Sequence, residues 1–167
     1  MPDVYDGGDD NTVMKELRRL ADQGDAQAQF ELGAIYFNGQ GVPQDDQEAA
    51  RWFRLAAQQG YASAQHNLGV MYDVGMGAPQ DYGEAIRLYR LAANQGYAEA
   101  QSDLGAMYYR GLGAQKDYVL AHMWLNLAAV QGIERAPKMR DTFEVVMTPA
   151  QIALAQRLAR EWKATGQ

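Results

Sequence analysis

The sequence predicts an all-α fold, a solenoid of about three helix–loop–helix units of 36 residues each, with further helices at both ends. Three observations support this prediction. Gly24, Gly60, Gly96 and Gly132 are 36 residues apart. Apolar residues between them recur at helical spacing, and alanine, the strongest helix former, is abundant. A period of about 20 to 50 residues is typical of solenoids, whose units pack only on their neighbours.

Many other positions keep the 36-residue register, which is too extensive to arise by chance. Each unit has a Leu-Gly pair, a tyrosine, two glycines separated by one other residue, an aspartate and an Ala-Ala pair. They are Leu32-Gly33, Tyr36, Gly39, Gly41, Asp45 and Ala56-Ala57 in the first unit, Leu68-Gly69, Tyr72, Gly75, Gly77, Asp81 and Ala92-Ala93 in the second, and Leu104-Gly105, Tyr108, Gly111, Gly113, Asp117 and Ala128-Ala129 in the third. The full units therefore cover residues 25–60, 61–96 and 97–132 of a single domain.

Residues 11–24 are predicted to form a partial N-terminal repeat. Their apolar residues, Leu17 among them, match the second helix of the later units. The residues before them are rich in Asp and Gly, which form helices poorly, so this helix lacks a first helix to pack on. We expect its apolar side either to favour a weak homodimer through the N-terminal end or to be covered by Val4, Tyr5 and Met14.

Each full unit is predicted to contain two helices joined by a loop. In the first unit the first helix covers Ala26 to Phe37, and Gly39 suits the left-handed conformation that often ends a helix. Asp45 is the predicted N-cap of the second helix, and Glu48 follows three residues later, as a capping box requires. The second unit repeats this pair, whereas the third has Leu120 in place of the acid.

A glycine lies in the middle of each first helix, at Gly33, Gly69 and Gly105. Glycine costs about 1 kcal/mol relative to alanine in this position. We expect glycine at this position, despite its cost, because a partner helix approaches closely there and leaves no room for a side chain. The Ala56-Ala57 pair and its equivalents are predicted to supply the matching flat surface.

The C-terminal residues 133–167 leave the repeat but are predicted to form capping helices. The Leu-Gly pair of the earlier units is replaced by Arg140-Asp141. The last helix has Thr148 as its N-cap, and Gln151 completes a capping box. A terminal helix with one polar face is what the end of a solenoid requires.

The repeated residues follow a recognisable order. The first unit reads Ala28-Gln29, Leu32-Gly33, Tyr36, Gly39-x-Gly41-Val42-Pro43, Asp45, Ala49, Trp52, Ala56-Ala57 and Gln59-Gly60. This pattern resembles the Sel-one-like repeat, a relative of the tetratricopeptide repeat. The resemblance covers residues 25–132 and implies a right-handed α-solenoid. It also implies a non-enzymatic bacterial adaptor or scaffold that binds a protein or peptide in its concave groove.

In solenoids of this kind the first helices line the concave groove, so the resemblance implies a set of groove positions. They are Gln27, Phe30, Ala34, Phe37 and Asn38 in the first unit, Ser63, His66, Val70, Asp73 and Val74 in the second, and Glu99, Ser102, Ala106, Tyr109 and Arg110 in the third. These residues differ between units, whereas the packing residues do not. We assign partner contact to Phe30, Phe37, Asn38, His66, Val70, Asp73, Ser102, Tyr109 and Arg110, because aromatic residues and arginine are frequent interface anchors.

Composition excludes several classes of partner and site. The 15 basic and 21 acidic residues give a net charge of −6, which disfavours nucleic acid. The absence of cysteine excludes disulfides, thiolate zinc sites and cysteine nucleophiles. No apolar run is long enough to insert in a membrane. The chain begins without a signal peptide, so its compartment is undecided: the bacterial envelope or periplasm if a leader was removed, otherwise the cytoplasm.

No catalytic residue, metal ligand set or cofactor motif is predicted. Ser102 and His66 occupy equivalent places in neighbouring units, so their backbones should lie about 10 Å apart, too far for a nucleophile and its base. Neither serine begins the Ser-x-x-Lys motif of penicillin-binding proteins and β-lactamases, a label that some cysteine-rich relatives carry. His66 with Asp73 is not a metal ligand set. His122 is predicted to lie at the surface or rim.

The sequence leaves three functions open for this protein. The first is a non-enzymatic module that holds a protein or peptide in the groove. The second is a structural role, in which the ends of the solenoid mediate self-association. The third, an enzyme, has the least support from the sequence.

Overall fold

The computed structural model describes residues 8–164, with side chains from residue 12 onward. Its helices are α1 (Gly8–Asp22), α2 (Ala26–Asn38), α3 (Asp46–Gln58), α4 (Ala62–Val74), α5 (Tyr82–Asn94), α6 (Ala98–Arg110), α7 (Tyr118–Val130), α8 (Arg135–Glu144) and α9 (Pro149–Glu161). No strand occurs within residues 8–164, so the prediction of an all-α fold is confirmed. Helix α1 begins three residues before the predicted partial repeat, and Val4 and Tyr5 lie outside the described residues.

The helices pack in chain order. Helices α2 and α3, α4 and α5, and α6 and α7 pair to form the three units. Helix α3 contacts α4 and α5 contacts α6, so each unit packs on the next. Helix α1 packs on α2, while α8 and α9 pack on α7. Contacts between consecutive elements of this kind form an α-solenoid, with buried apolar clusters from α1 to the C-terminal cap.

The predicted helix ends are confirmed, but two of the predicted capping boxes are wrong. Gly39 is left-handed (φ 65°) after α2, and the Asp45 carboxylate accepts hydrogen bonds from the first turn of α3. Glu48 does not return a bond to the cap, because its carboxylate accepts from Arg51 and from the indole of Trp52 instead. In the second unit Glu84 is likewise bound by Arg87. The box at Thr148 and Gln151 does form at the start of α9.

The mid-helix glycines do mark close helix contacts, but the surface that they meet is not the alanine pair. A Cβ on Gly33 would lie 2.7 Å from the ring of Phe53 on α3. Gly69 meets the ring of Tyr89 at 2.9 Å, and Gly105 meets Leu125 at the same distance. The close approach therefore brings backbone against one large side chain, which leaves no room for a Cβ.

A glutamine on each first helix links successive units, a role that the sequence did not reveal. Gln65 is buried in α4, and its amide donates to the carbonyl of Ala57 at the end of α3 (3.2 Å). Its own carbonyl accepts from Gln95 at the end of α5 (2.7 Å). Gln29 and Gln101 make the same bonds in the other units. Each glutamine is a second donor to a carbonyl in the last turn of the preceding helix, which also accepts from the glycine amide three residues later.

The C-terminal helices close the solenoid. Ala155 of α9 is fully buried, and the ring of Trp162 meets that of Trp124 on α7 edge-on at 5.9 Å. The predicted apolar side of α9 thus packs on α7. Of the described helices, none is long and apolar enough to cross a membrane.

Candidate partner-binding site

A cavity of about 430 Å³ opens where the first helices α4 and α6 meet the start of α8. It is lined by His66, Val70, Asp73, Tyr89, Glu99, Asp103, Ile133 and Arg135. Four of these, His66, Val70, Asp73 and Glu99, were predicted groove positions. The fold therefore brings groove residues of the second and third units together at one place.

A polar cluster forms one wall of this cavity. The Asp103 carboxylate accepts from Nε2 of His66 (2.8 Å) through one oxygen and from Arg135 through the other. The Nε of Arg135 also donates to Oγ of Ser102 (3.0 Å). Because a carboxylate can only accept, Nε2 of His66 carries a proton, and in the neutral imidazole Nδ1 is then an acceptor. That Nδ1 is buried and has no partner among the described residues.

The prediction that Ser102 contacts a partner is wrong. Its side chain is fully buried, and its hydroxyl is bound by Arg135. Arg135 belongs to α8, which packs on α6 and α7 outside the repeat pattern. The repeat register alone could not show that this helix covers Ser102.

Asp103 and Arg135 were missed by the sequence analysis, although a signal for Arg135 existed. Arg135 follows Glu99 by 36 residues, so it continues the series of groove positions Gln27, Ser63 and Glu99. The predicted groove positions end with the third unit because the Leu-Gly pair is lost beyond residue 132. A groove position can persist where the packing pattern has ended.

Two carboxylates on the cavity are not neutralised by a basic side chain. None of the ion pairs formed within residues 12–164 includes Asp73 or Glu99. Among the described residues, the Asp73 carboxylate accepts one long hydrogen bond, from the hydroxyl of the buried Tyr89 (3.4 Å). Burial, followed by the charges of Asp103 and Asp73, raises the pKa of that hydroxyl, so Tyr89 stays protonated as the donor.

The other predicted contact residues lie away from this cavity. Phe30 and Phe37 are half-buried against Phe53, with ring centroids 5.7 and 6.5 Å away. Tyr109 is half-buried and stacks on Phe143 of α8, with centroids 3.6 Å apart and rings nearly parallel. Asn38 and Arg110 are exposed at the C-terminal ends of α2 and α6. The aromatic residues of the predicted set are therefore partly engaged in packing.

The prediction that His122 lies at the surface or rim is wrong, because it is fully buried between α7 and α8. Arg140 donates to the Asn126 carbonyl, so the Asn126 amide nitrogen donates to Nδ1 of His122 (3.0 Å). Nε2 of His122 must then donate to Glu144 (2.7 Å). This network holds α8 on α7. Across residues 12–164 no group of three or more His, Asp or Glu side chains could hold a metal ion.

A cavity of about 370 Å³ on the other side of the solenoid, between α3, α4 and α5, has polar groups that already pair with one another. Arg54 donates to the hydroxyl of Tyr72 (3.2 Å), and Arg87 is bound by Glu84. The cavity beside α4 and α6 is the better candidate site because its carboxylates Asp73 and Glu99 are not neutralised.

Comparison with known proteins gives consistent matches. The Sel1 repeat family matches residues 26–61, 62–97 and 98–133, which are the predicted units displaced by one residue. A crystal structure of a Sel1 repeat protein from Oxalobacter formigenes is 44% identical, with a TM-score of 0.71 over 77% of this chain and 97% of that one. The structure of c5321, a protective antigen of uropathogenic Escherichia coli with an SLR fold, is 28% identical, with a TM-score of 0.68 over 89% of this chain and 40% of that one. No curated protein matches the chain.

Proposed function

The chain belongs to the Sel1 repeat family, and from that premise we propose that it is an adaptor or scaffold that holds a protein or peptide on the groove face. We define the groove face as the side of α2, α4 and α6 that carries the positions differing between units. Sel1 repeat proteins generally mediate protein–protein interactions and are typically non-catalytic.

The observation that carries this proposal is the contrast between the two sides of the first helices. Leu68 and Gln65 of α4 are buried, and the same residue types are buried at these positions in α2 and α6. The positions beside them differ: Phe30, His66 and Ser102 are equivalent, and so are Phe37, Asp73 and Tyr109. Gln and Leu thus recur at these buried positions of every first helix, whereas recognition of a partner does not require the same residue in every unit.

The two serines of the chain support a non-catalytic role. The hydroxyl of Ser102 is bound by Arg135 and buried. None of the hydrogen bonds that the two histidines make among the described residues goes to Ser63. His66, the histidine on the groove face, is bound by Asp103. Neither serine therefore has a histidine as its base.

Photo-cross-linking in cells of the source organism tests the groove face. A benzoylphenylalanine replaces Val70, which lines the groove cavity, or, as the matched control, Leu91, which is 41% exposed on α5 outside that cavity. We expect a discrete adduct with one partner from position 70 and none from position 91. Equal adducts at both positions, or an adduct only at 91, would contradict the proposal.

One observation favours the alternative, structural function at the N-terminal end. Val13 of α1 is 68% exposed, whereas its equivalent Ala49 is 0% exposed. Leu17 is half-buried where its equivalent Phe53 is buried, and Met14 packs on α2 without closing this side. Sedimentation velocity over a range of concentrations, with wild type and Leu17→Glu, tests self-association here. A dimer that the substitution abolishes supports the structural role, and a wild type that stays monomeric throughout removes it.

A further inference from the structure

The groove face carries a distinct charge pattern. Its three helices contain four acidic residues and one basic residue, which is the last residue of α6. The acidic residues are Glu31, Asp73, Glu99 and Asp103. The seven basic residues that precede residue 110 all lie on α1, α3 and α5 instead: Lys15, Arg18, Arg19, Arg51, Arg54, Arg87 and Arg90. The groove face is therefore complementary to a partner segment with positive charge.

The cavity concentrates this negative charge on an apolar surface. The carboxylate of Asp103 is already neutralised by Arg135, but Asp73 and Glu99 have no basic partner among the described residues. Val70 and Ile133 are half-buried and line the same cavity. The cavity thus offers aliphatic walls together with two charges that lack counter-ions.

Resting on the proposed function, we propose that this cavity receives a lysine or arginine side chain from the bound partner. The aliphatic stem of such a side chain packs on Val70 and Ile133, while its cationic head lies between Asp73 and Glu99. The volume of about 430 Å³ is at the small end of ligand pockets, which span about 300–1,000 Å³, and suits one side chain.

An acidic side chain does not fit this cavity. The one arginine that lines it, Arg135, already donates to Asp103 and Ser102. A carboxylate ligand would have to displace Asp103 from that arginine and would then face Asp73 and Glu99 as like charges. Repulsion of this kind gives the cavity selectivity for a basic over an acidic side chain.

Peptide titration followed by NMR tests the assignment. The two probes are acetyl-tetraarginine amide and acetyl-tetracitrulline amide, which has nearly the same shape without the charge. We expect the arginine peptide to shift the methyl signals of Val70 and Ile133 saturably, and the citrulline peptide to bind at least tenfold more weakly. Unshifted methyl signals, or equal affinity for the two peptides, would overturn the proposal.

Charge-matched variants separate this cavity from general attraction to an acidic protein. Asp73→Asn with Glu99→Gln should weaken binding of the arginine peptide at least tenfold. The control, Asp22→Asn with Glu161→Gln, removes two exposed charges at the C-terminal ends of α1 and α9 and should leave the affinity unchanged. Equal losses in the two variants would contradict a specific site. If Val70 still cross-links a partner while the arginine peptide does not bind, the groove function stands and this cavity assignment fails.

Discussion

The two sides of the first helices are built under different constraints. On the packing side, Gln29, Gln65 and Gln101 donate to the preceding unit at 3.1, 3.2 and 3.2 Å, so the geometry is the same in every unit. On the groove face, equivalent positions carry Phe37, Asp73 and Tyr109, which have different neighbours. The comparison teaches that the repeat records the contacts that recur between units, whereas positions that differ between units have different neighbours.

The strongest way to break this comparison is to substitute neighbouring residues on opposite sides of α4. Gly69→Leu places a side chain against the buried ring of Tyr89, where a Cβ alone would lie at 2.9 Å. We expect it to lower the free energy of unfolding by about 3 kcal/mol or more, since overpacking a rigid contact costs about 1–3 kcal/mol and occasionally more. The leucine of Val70→Leu extends into the cavity, so this substitution should change the free energy of unfolding by less than about 1 kcal/mol. Urea unfolding measures both, and equal losses would refute the close-contact account.

The loops offer a second test, because equivalent glycines meet different surroundings. Gly77 (φ 65°) lies against the carbonyl of Asp46 in the preceding unit, so closely that a Cβ would overlap it. Gly41 (φ 72°) has no atom of the described residues within 4 Å of such a Cβ. Both alanine variants carry the same backbone strain, but Gly77→Ala should be less stable than Gly41→Ala by about 1–3 kcal/mol. Thermal unfolding that ranks them in the opposite order would contradict this loop contact.

The glutamine that links units gives a smaller effect. Gln65→Ala removes two hydrogen bonds, one to the carbonyl of Ala57 and one from the side chain of Gln95, while the amide of Gly60 still donates to Ala57. At about 0.5–1.5 kcal/mol for each bond, the loss should cost about 1–3 kcal/mol. Gln58→Ala, at an exposed position near the end of α3, should change stability by no more than about 0.5 kcal/mol. The difference between their unfolding free energies measures the link. If it is zero, the repeated glutamines do not stabilise the contact between units.

The smallest effect is expected on the groove face itself. Asp73→Asn retains an oxygen that can accept from Tyr89, and Glu99 is exposed. Each change should therefore alter the free energy of unfolding by less than about 0.5 kcal/mol, even though both are predicted to weaken binding of a basic peptide. A large loss of stability in urea would show that these residues contribute to packing, and would contradict the distinction between the packing side and the groove face.

The features that sequence predicted depend on local chemistry repeated in every unit. The helix ends at Gly39 and Asp45 and the close contact at Gly33 follow from backbone conformation and the absence of a Cβ. Three later findings depend on α8 instead: the burial of Ser102, the burial of His122, and the stacking of Tyr109 on Phe143.

Helix α8 lies outside the repeat, and although Arg135 keeps the 36-residue register, that register did not show that α8 covers Ser102 and His122. The sequence also could not predict that the Glu48 carboxylate binds Arg51 instead of the N-cap of its own helix, because both partners lie within reach of that carboxylate. Local patterns thus predicted the units, and only the packed structure revealed the cavity at their edge.

The most direct test of the groove face is the affinity of the partner captured at position 70. Calorimetric titration would compare wild type with Val70→Trp, which fills the groove cavity without changing charge, and with Leu91→Trp on the other side of the solenoid. We predict at least a tenfold loss for Val70→Trp and an unchanged affinity for Leu91→Trp. Unchanged affinity for Val70→Trp, or a loss confined to Leu91→Trp, would contradict the groove as the binding face.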